Sequence, residues 1–270
     1  MPCIVMKLAG FTVLSFETSV AGARLRYLDI GQGGGAPLVM LHGLGCASSF
    51  QYPAIANDPT LAGRRCLLID FLGFGYSDQP EAFDYAILSH AKTVAALVDR
   101  LNLPRICLYG HSMGGSIAIE IADLLGERVE NLILSEANLN SGGGQFSRAI
   151  AEMGEDTYLT AGHERVISIA ERGGNLDWAT MMRHALPLAV YRSAASLVQG
   201  RDPDWGTRLK ARKGIKSFIF GENSLPDAAE DVLRGSDVRI LTVPQAGHSM
   251  AGENPKGLAK AIAEALSLSL

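Results

Sequence analysis

The chain has 270 residues, 47% of them apolar and 19% charged, with 24 basic against 28 acidic side chains and a net charge of −4. This is the composition of one large globular domain, or of a core with a modest insert, with ample material for an apolar interior. Nothing is basic enough to point to nucleic acid, and no apolar run is long enough to cross a bilayer.

The opening MPCIVMKLAGFTVLSF is apolar but is interrupted by Lys7 and is followed by no clean small-residue cleavage site, so it reads as an early strand rather than a signal peptide. FTVLSFE and ARLRYLDIG alternate apolar and polar residues, the pattern of half-exposed strands in a hairpin at a sheet edge. After the turn GQGGGAP come PLVML, RCLLIDF, RICLYG and NLILSEAN, short and nearly continuous apolar runs that suit the central strands of a parallel sheet covered on both faces. Between them, AILSHAKTVAALVDRLNL and SIAIEIADLLGERV carry apolar residues three and four apart, as amphipathic helices do.

The texture changes after SEANLNSGGG. Residues 145 to about 213 yield helical pieces and no clear strand; strand character returns at IKSFIFGE and VRILTVPQA, and NPKGLAKAIAEALSLSL closes the chain as an amphipathic helix. The expected fold is α/β: a mostly parallel central sheet of about eight strands flanked by helices, with a helical cap inserted after strand six. Residues 1–138 and 214–270 form the expected core and 139–213 the expected cap.

The four cysteines, Cys3, Cys46, Cys66 and Cys107, have neither paired nor metal-ligand spacing. Cys66 and Cys107 fall inside expected buried strands, where a thiol packs as a small apolar group, and Cys46 reads as a packing residue as well. Free thiols fit a reducing cytoplasm, which is the expected location.

One stretch carries chemistry. ICLYGHSMGGSIAIEIADLL runs from a buried strand through Gly110-His111-Ser112-Met113-Gly114 into a helix. G-x-S-x-G between strand and helix is a nucleophile elbow: the tight turn holds Ser112 in a strained conformation with its hydroxyl out at the carboxyl edge of the sheet, and the glycines admit backbones too close for side chains. A serine hydroxyl needs a base. His248 follows the last strand, and Gly247 before it permits a tight turn.

With these residues the sequence resembles the α/β-hydrolase family over nearly all of the chain outside the helical insert. MLHGLGCASSF is similar to its His-Gly turn after the third strand, LLIDFLGFGYSDQP to its D-x-x-G-x-G-x-S segment, and QAGHSMAGENP to the turn bearing its catalytic histidine. The resemblance implies Ser112 as nucleophile, His248 as base, and the amides of Leu44 and Met113 as oxyanion donors. His42 is then a scaffold residue of the oxyanion loop, His111 shapes the elbow, Asp70 braces the Gly73-Phe74-Gly75 loop, and His90, His163 and His184 carry no motif.

The acid departs from the family pattern. The position three residues past Gly221, where the family usually has aspartate, is Ser224. Some branches take the acid from the end of the sixth strand instead, and Glu136 stands there, a charged residue directly after a buried run. Glu136 is the favoured acid and Asp227 the alternative.

A serine rather than aspartate at the nucleophile position argues against the dehalogenase and epoxide-hydrolase branches. The expected function is hydrolysis of a carboxylic ester or lactone, on a small-molecule substrate, with neither cofactor nor metal. Alternatives are a ligand-binding or receptor module on the same fold, and a carbon–carbon hydrolase or cofactor-free perhydrolase using the same triad. The cap segment WATMMRHALPLAVYRSAASLV is a candidate acyl pocket, and Arg183 or Arg192 a candidate partner for a substrate carboxylate.

Overall fold

The structure, a computed structural model, describes the backbone of residues 3–8, 11–20 and 22–267 and the side chains of 13–20 and 22–267. Of the expected first strand, Met1, Pro2, Ala9 and Gly10 lie outside the described residues, as does the Cys3 side chain.

Among the described residues nine strands form one sheet: β1 (Cys3–Leu8), β2 (Phe11–Glu17), β3 (Arg24–Ile30), β4 (Leu38–Leu41), β5 (Cys66–Asp70), β6 (Ile106–His111), β7 (Val129–Ser135), β8 (Ile215–Gly221) and β9 (Arg239–Val243). Their order is β1-β2-β3-β5-β4-β6-β7-β8-β9. The first three strands and the β3–β5 pair run antiparallel, and every pair from β5 to β9 is parallel. The mostly parallel α/β sheet is as expected. The expected edge hairpin is β2–β3, with β1 added outside it; because of that extra strand, the helical insertion follows the seventh strand of the chain.

Burial explains the strand compositions. All residues of β4, β5 and β6 are buried, because helices cover both faces. One apolar cluster gathers Leu67, Ile69, Leu108, Leu132 and Leu134 against helices Ile87–Arg100 and Met113–Leu125; the other gathers Leu68, Tyr109, Ile133 and Ile219 against helix Pro255–Leu266. Strand β9 at the edge alternates instead, with only Val243 buried.

Between β7 and β8 lie helices, including Gln145–Ala151, His163–Arg172, Leu176–His184, Pro187–Gln199 and Trp205–Ala211. They are anchored to the core by the Leu186 N–H bond to the Gly73 carbonyl (2.8 Å) and by buried Glu120, which accepts from Trp205 Nε1 at 2.9 Å. No helix among the described residues is long and apolar enough to cross a membrane.

Candidate active site

The strand–turn–helix of the sequence is present: β6 ends at His111, Ser112 follows with φ 52° and ψ −119°, and the helix Met113–Leu125 begins at once. A serine in the left-handed region is strained and persists only where its surroundings over-determine it. Here they do. A methyl group on Gly110 would lie 2.3 Å from the Gly114 carbonyl oxygen, and one on Gly114 would lie 2.5 Å from the carbonyl oxygens of Leu41 and His42. Those contacts are backbone against backbone, so the turn closes only with glycine at both places. The Ser112 N–H also continues the sheet ladder, bonding the Ser135 carbonyl at 2.9 Å.

Glu136 occupies the corresponding place one strand away. It follows β7 directly, has φ 41°, and its N–H bonds the Ile219 carbonyl at 3.2 Å. Its side chain is only 5% exposed. Oε2 lies 2.6 Å from His248 Nδ1, and Oε1 accepts the Gly221 N–H at 2.9 Å. Burial by itself would raise the Glu136 carboxyl; the hydrogen bonds from His248, from the Gly221 amide and from the Ser224 hydroxyl outweigh it and hold the group below the ordinary carboxylate range.

His248 lies in the turn after β9, and its ring packs against His111, centroid to centroid 4.7 Å, which sets it beside the residue preceding Ser112. An imidazole whose Nδ1 faces a carboxylate carries its proton there and leaves Nε2 as the acceptor. Asp227 is engaged elsewhere: it caps helix Ala228–Leu233, accepting from the Ala229 N–H at 2.7 Å in a capping box with Glu230. Glu222 accepts from the Gln245 N–H at 2.8 Å.

The His-Gly turn lies against the serine, since a methyl group on Gly43 would be 3.4 Å from Ser112 Cβ. His42 is fully buried. Its Nε2 accepts the Phe71 N–H at 3.1 Å, so Nδ1 carries the proton and donates to the Gly43 carbonyl at 2.8 Å. Burial pushes its pKa down to about 4, so it stays neutral, with both nitrogens committed to the loop. Met113 opens its helix, where N–H groups lack intrahelical partners and the helix dipole favours negative charge. Asp70 accepts from the Ser49 N–H at 2.9 Å, the Ser49 hydroxyl at 2.6 Å and the Tyr76 N–H at 3.0 Å, tying two loops beneath the site.

The remaining candidates have partners of their own. Arg183 pairs with Glu171 at 2.5 Å, and Arg192 pairs with Glu155 at 3.1 Å through two guanidinium nitrogens. His90 sits in a cage of Phe71, Phe74, Phe83 and Tyr85, with Nε2 3.2 Å from Ser193 Oγ, whose hydroxyl donates to the Tyr85 carbonyl. His163 is held between the Tyr158 hydroxyl and the Met182 carbonyl at 2.9 and 3.0 Å. Sequence reasoning overlooked Ser135, which bridges the Tyr109 hydroxyl (2.8 Å) and His111 Nδ1 (3.0 Å), and Trp178, which donates to the Leu44 carbonyl (2.9 Å). A buried indole demands an acceptor, but the one it finds is 134 positions away.

Among curated proteins the chain is similar to the dihydrolipoyllysine-residue acetyltransferase component of the acetoin cleaving system of Pseudomonas putida, 27% identical over 88% of this chain and 65% of that one. It is also similar to haloalkane dehalogenase 2 of Mycobacterium tuberculosis, 37% identical over 41% of this chain and 37% of that one. The chain therefore spans less than two thirds of either relative. Among solved structures, an esterase from Exiguobacterium antarcticum superposes with a TM-score of 0.78 at 20% identity, covering 94% of this chain and 99% of that one, a likeness of fold. The family model for the alpha/beta hydrolase fold matches residues 36–187, from the turn before β4 through the Gly110–Gly114 turn and into the insertion, and the chain belongs to that family.

Proposed function

We propose that this hydrolase cleaves carboxylic esters, lactones included, through an acyl-enzyme formed on Ser112. The observation that carries the reading is the pairing of His248 Nδ1 with the buried Glu136 carboxylate at 2.6 Å, beside a serine held at φ 52°. The pairing leaves His248 Nε2 as the one ring nitrogen able to accept a proton from Ser112.

In the proposed reaction Ser112 Oγ attacks the ester carbonyl while its proton passes to His248 Nε2. The carbonyl π-electrons become an oxyanion, received by the Leu44 and Met113 amides, which are oriented before the reaction begins. Collapse expels the alkoxide, which takes the proton from His248 and leaves as alcohol. Water then attacks the acyl-serine with His248 again as base, releasing the carboxylic acid and restoring Ser112. Glu136 stays ionised throughout and stabilises the imidazolium. The helical insertion between β7 and β8 acts as a cap that forms part of the substrate pocket. The esterase name of the structural neighbour is consistent with this reading. The dehalogenase relative shares the hydrolase frame, and the serine at position 112 favours acyl chemistry over displacement by carboxylate.

Treatment with a fluorophosphonate ester and peptide mass mapping tests the proposal. Ser112 should be modified rapidly in the wild type and not in His248→Ala, and Ser112→Ala should retain its fold and lose ester turnover. A folded wild type in which Ser112 resists modification defeats the proposal and favours a ligand-binding module on the same fold.

A further inference from the structure

We infer that Trp178, carried by the helical insertion, is a positioning residue for the oxyanion site. The inference rests on the serine-hydrolase reading above and concerns how the Leu44 amide comes to be oriented.

Two peptide planes flank Leu44. The first contains the Gly43 carbonyl and the Leu44 N–H, and it is held from within the loop: the Gly43 carbonyl accepts from His42 Nδ1 at 2.8 Å and from the Cys46 N–H at 3.2 Å. The second contains the Leu44 carbonyl and the Gly45 N–H. Its carbonyl accepts from Trp178 Nε1 at 2.9 Å, with the Cys46 thiol a weaker donor at 3.6 Å. Gly45 has φ +70°. A plane bounded by glycine rotates at little steric cost, because glycine tolerates both signs of φ. The indole N–H is the strong donor that opposes this rotation; by fixing the plane on the far side of Leu44 it anchors from both sides the residue that carries the amide, and so braces the turn against displacement from the serine.

The surroundings fit that role. Trp178 is buried, and its ring packs at a tilt against Phe146 with centroids 4.9 Å apart. A methyl group on Gly45 would lie 2.1 Å from Met182 Sδ and 3.0 Å from Trp178 Nε1, so helix Leu176–His184 rests directly on this turn. At the same helix, the Met182 carbonyl is braced by His163. The helix also reaches the histidine side, where a methyl group on Gly252 would lie 3.4 Å from Asp177 Oδ2. The insertion thus seats on the turn after the His-Gly pair and on the short helix Met250–Glu253 that follows His248, and where it is seated the indole clasps the Leu44 carbonyl.

The test is Trp178→Phe in the full chain, with a p-nitrophenyl ester as substrate and an alkyl trifluoromethyl ketone as mimic of the tetrahedral intermediate. Losing one hydrogen bond that orients the amide should lower kcat about 3- to 10-fold and weaken the ketone by the same factor. The KM and the affinity for the product carboxylate should stay within about twofold. A folded variant with unchanged kcat and ketone affinity overturns the inference, as does a rise in KM at constant kcat, which marks Trp178 as pocket wall only. If phenylalanine does not fold, benzothienylalanine at position 178 keeps the indole shape without the N–H and gives the same two outcomes. Ser112→Ala run in parallel separates the layers: turnover that survives it refutes the serine-hydrolase reading and this inference with it, whereas turnover that needs Ser112 but ignores the indole N–H refutes the inference alone.

Discussion

Replacing Glu136 by glutamine keeps shape and removes charge, and the hydrogen bonds decide how the imidazole responds. Oε1 accepts the Gly221 N–H at 2.9 Å, and Oε2 faces His248 Nδ1 at 2.6 Å. A glutamine can be placed in two ways. With its carbonyl toward Gly221, the backbone donor stays satisfied and the NH2 group faces His248. With the amide reversed, the NH2 group faces the Gly221 N–H, and a buried donor loses its acceptor at a cost of about 1–3 kcal/mol. The first placement is therefore favoured by roughly 5- to 150-fold. It forces Nδ1 to accept, which puts the imidazole proton on Nε2, where it cannot take one from Ser112. Loss of the charge-assisted bond alone costs on the order of 10- to 100-fold, and the wrong tautomer extends this toward 10⁴. Glu136→Gln should thus retain about 10⁻³ to 10⁻⁴ of wild-type kcat while remaining folded, with an unfolding midpoint at pH 8 lowered by loss of the charge that the native hydrogen bonds stabilise. Stopped-flow or steady-state hydrolysis of a p-nitrophenyl ester, with circular dichroism as fold control, measures it. A folded variant that keeps more than about a tenth of the activity refutes the tautomer argument and the assignment of Glu136 as acid.

Stability should fall as acid is added from pH 6.5 toward 4, because burial pushes His42 down to about 4 and His90 down to about 3 from the ordinary 6.5. In that window the unfolded chain binds protons that the folded chain refuses, so each histidine contributes a slope of about 1.4 kcal/mol per pH unit, with stability complete above 6.5. His90→Phe should remove one such slope in urea titrations, and identical slopes would show that His90 titrates normally. Gly114→Ala should destabilise by roughly 3–5 kcal/mol or prevent folding, since its methyl group meets two fixed carbonyls at 2.5 Å; a thermal midpoint equal to wild type contradicts that geometry. Cys46, Cys66 and Cys107 are buried, which raises their thiols to about 12, 11 and 11, so mass mapping after iodoacetamide at pH 8 should find them unmodified in the native protein and alkylated in urea.

Much of the site was legible because its chemistry is local. The elbow needs strand, glycines, serine and helix within a dozen residues, and the apolar runs of β4 to β8 are the direct imprint of burial on both faces. Glu136 drew notice because a carboxylate right after such a run needs a partner, and the structure gives it His248. Three features were beyond reach. The extra edge strand β1 is too close to β2 in chain and in pattern to be separated from it. Ser224 reads as a missing acid, and its nearness to the Glu136 carboxylate shows only when β8 is laid beside β7. Trp178 lies in a segment whose apolar residues have ordinary packing as a complete explanation. Asp227, weighed as an acid, turned out to carry the other common use of an aspartate before a helix, that of a cap.

The positions of Ser112 and Glu136 have a mechanical consequence. They end neighbouring strands whose ladder pairs His111 with Ser135, so the distance between the proposed nucleophile and the proposed acid is a property of the sheet. His248 alone is carried on a turn outside it, with a half-exposed ring. Two of the three parts are thus rigid, and the third is held to them by one hydrogen bond to a carboxylate and by the packing of its ring on His111. On heating, the histidine turn has the least to lose by moving. Activity should therefore fade reversibly below the unfolding midpoint, as the imidazole leaves an otherwise intact frame.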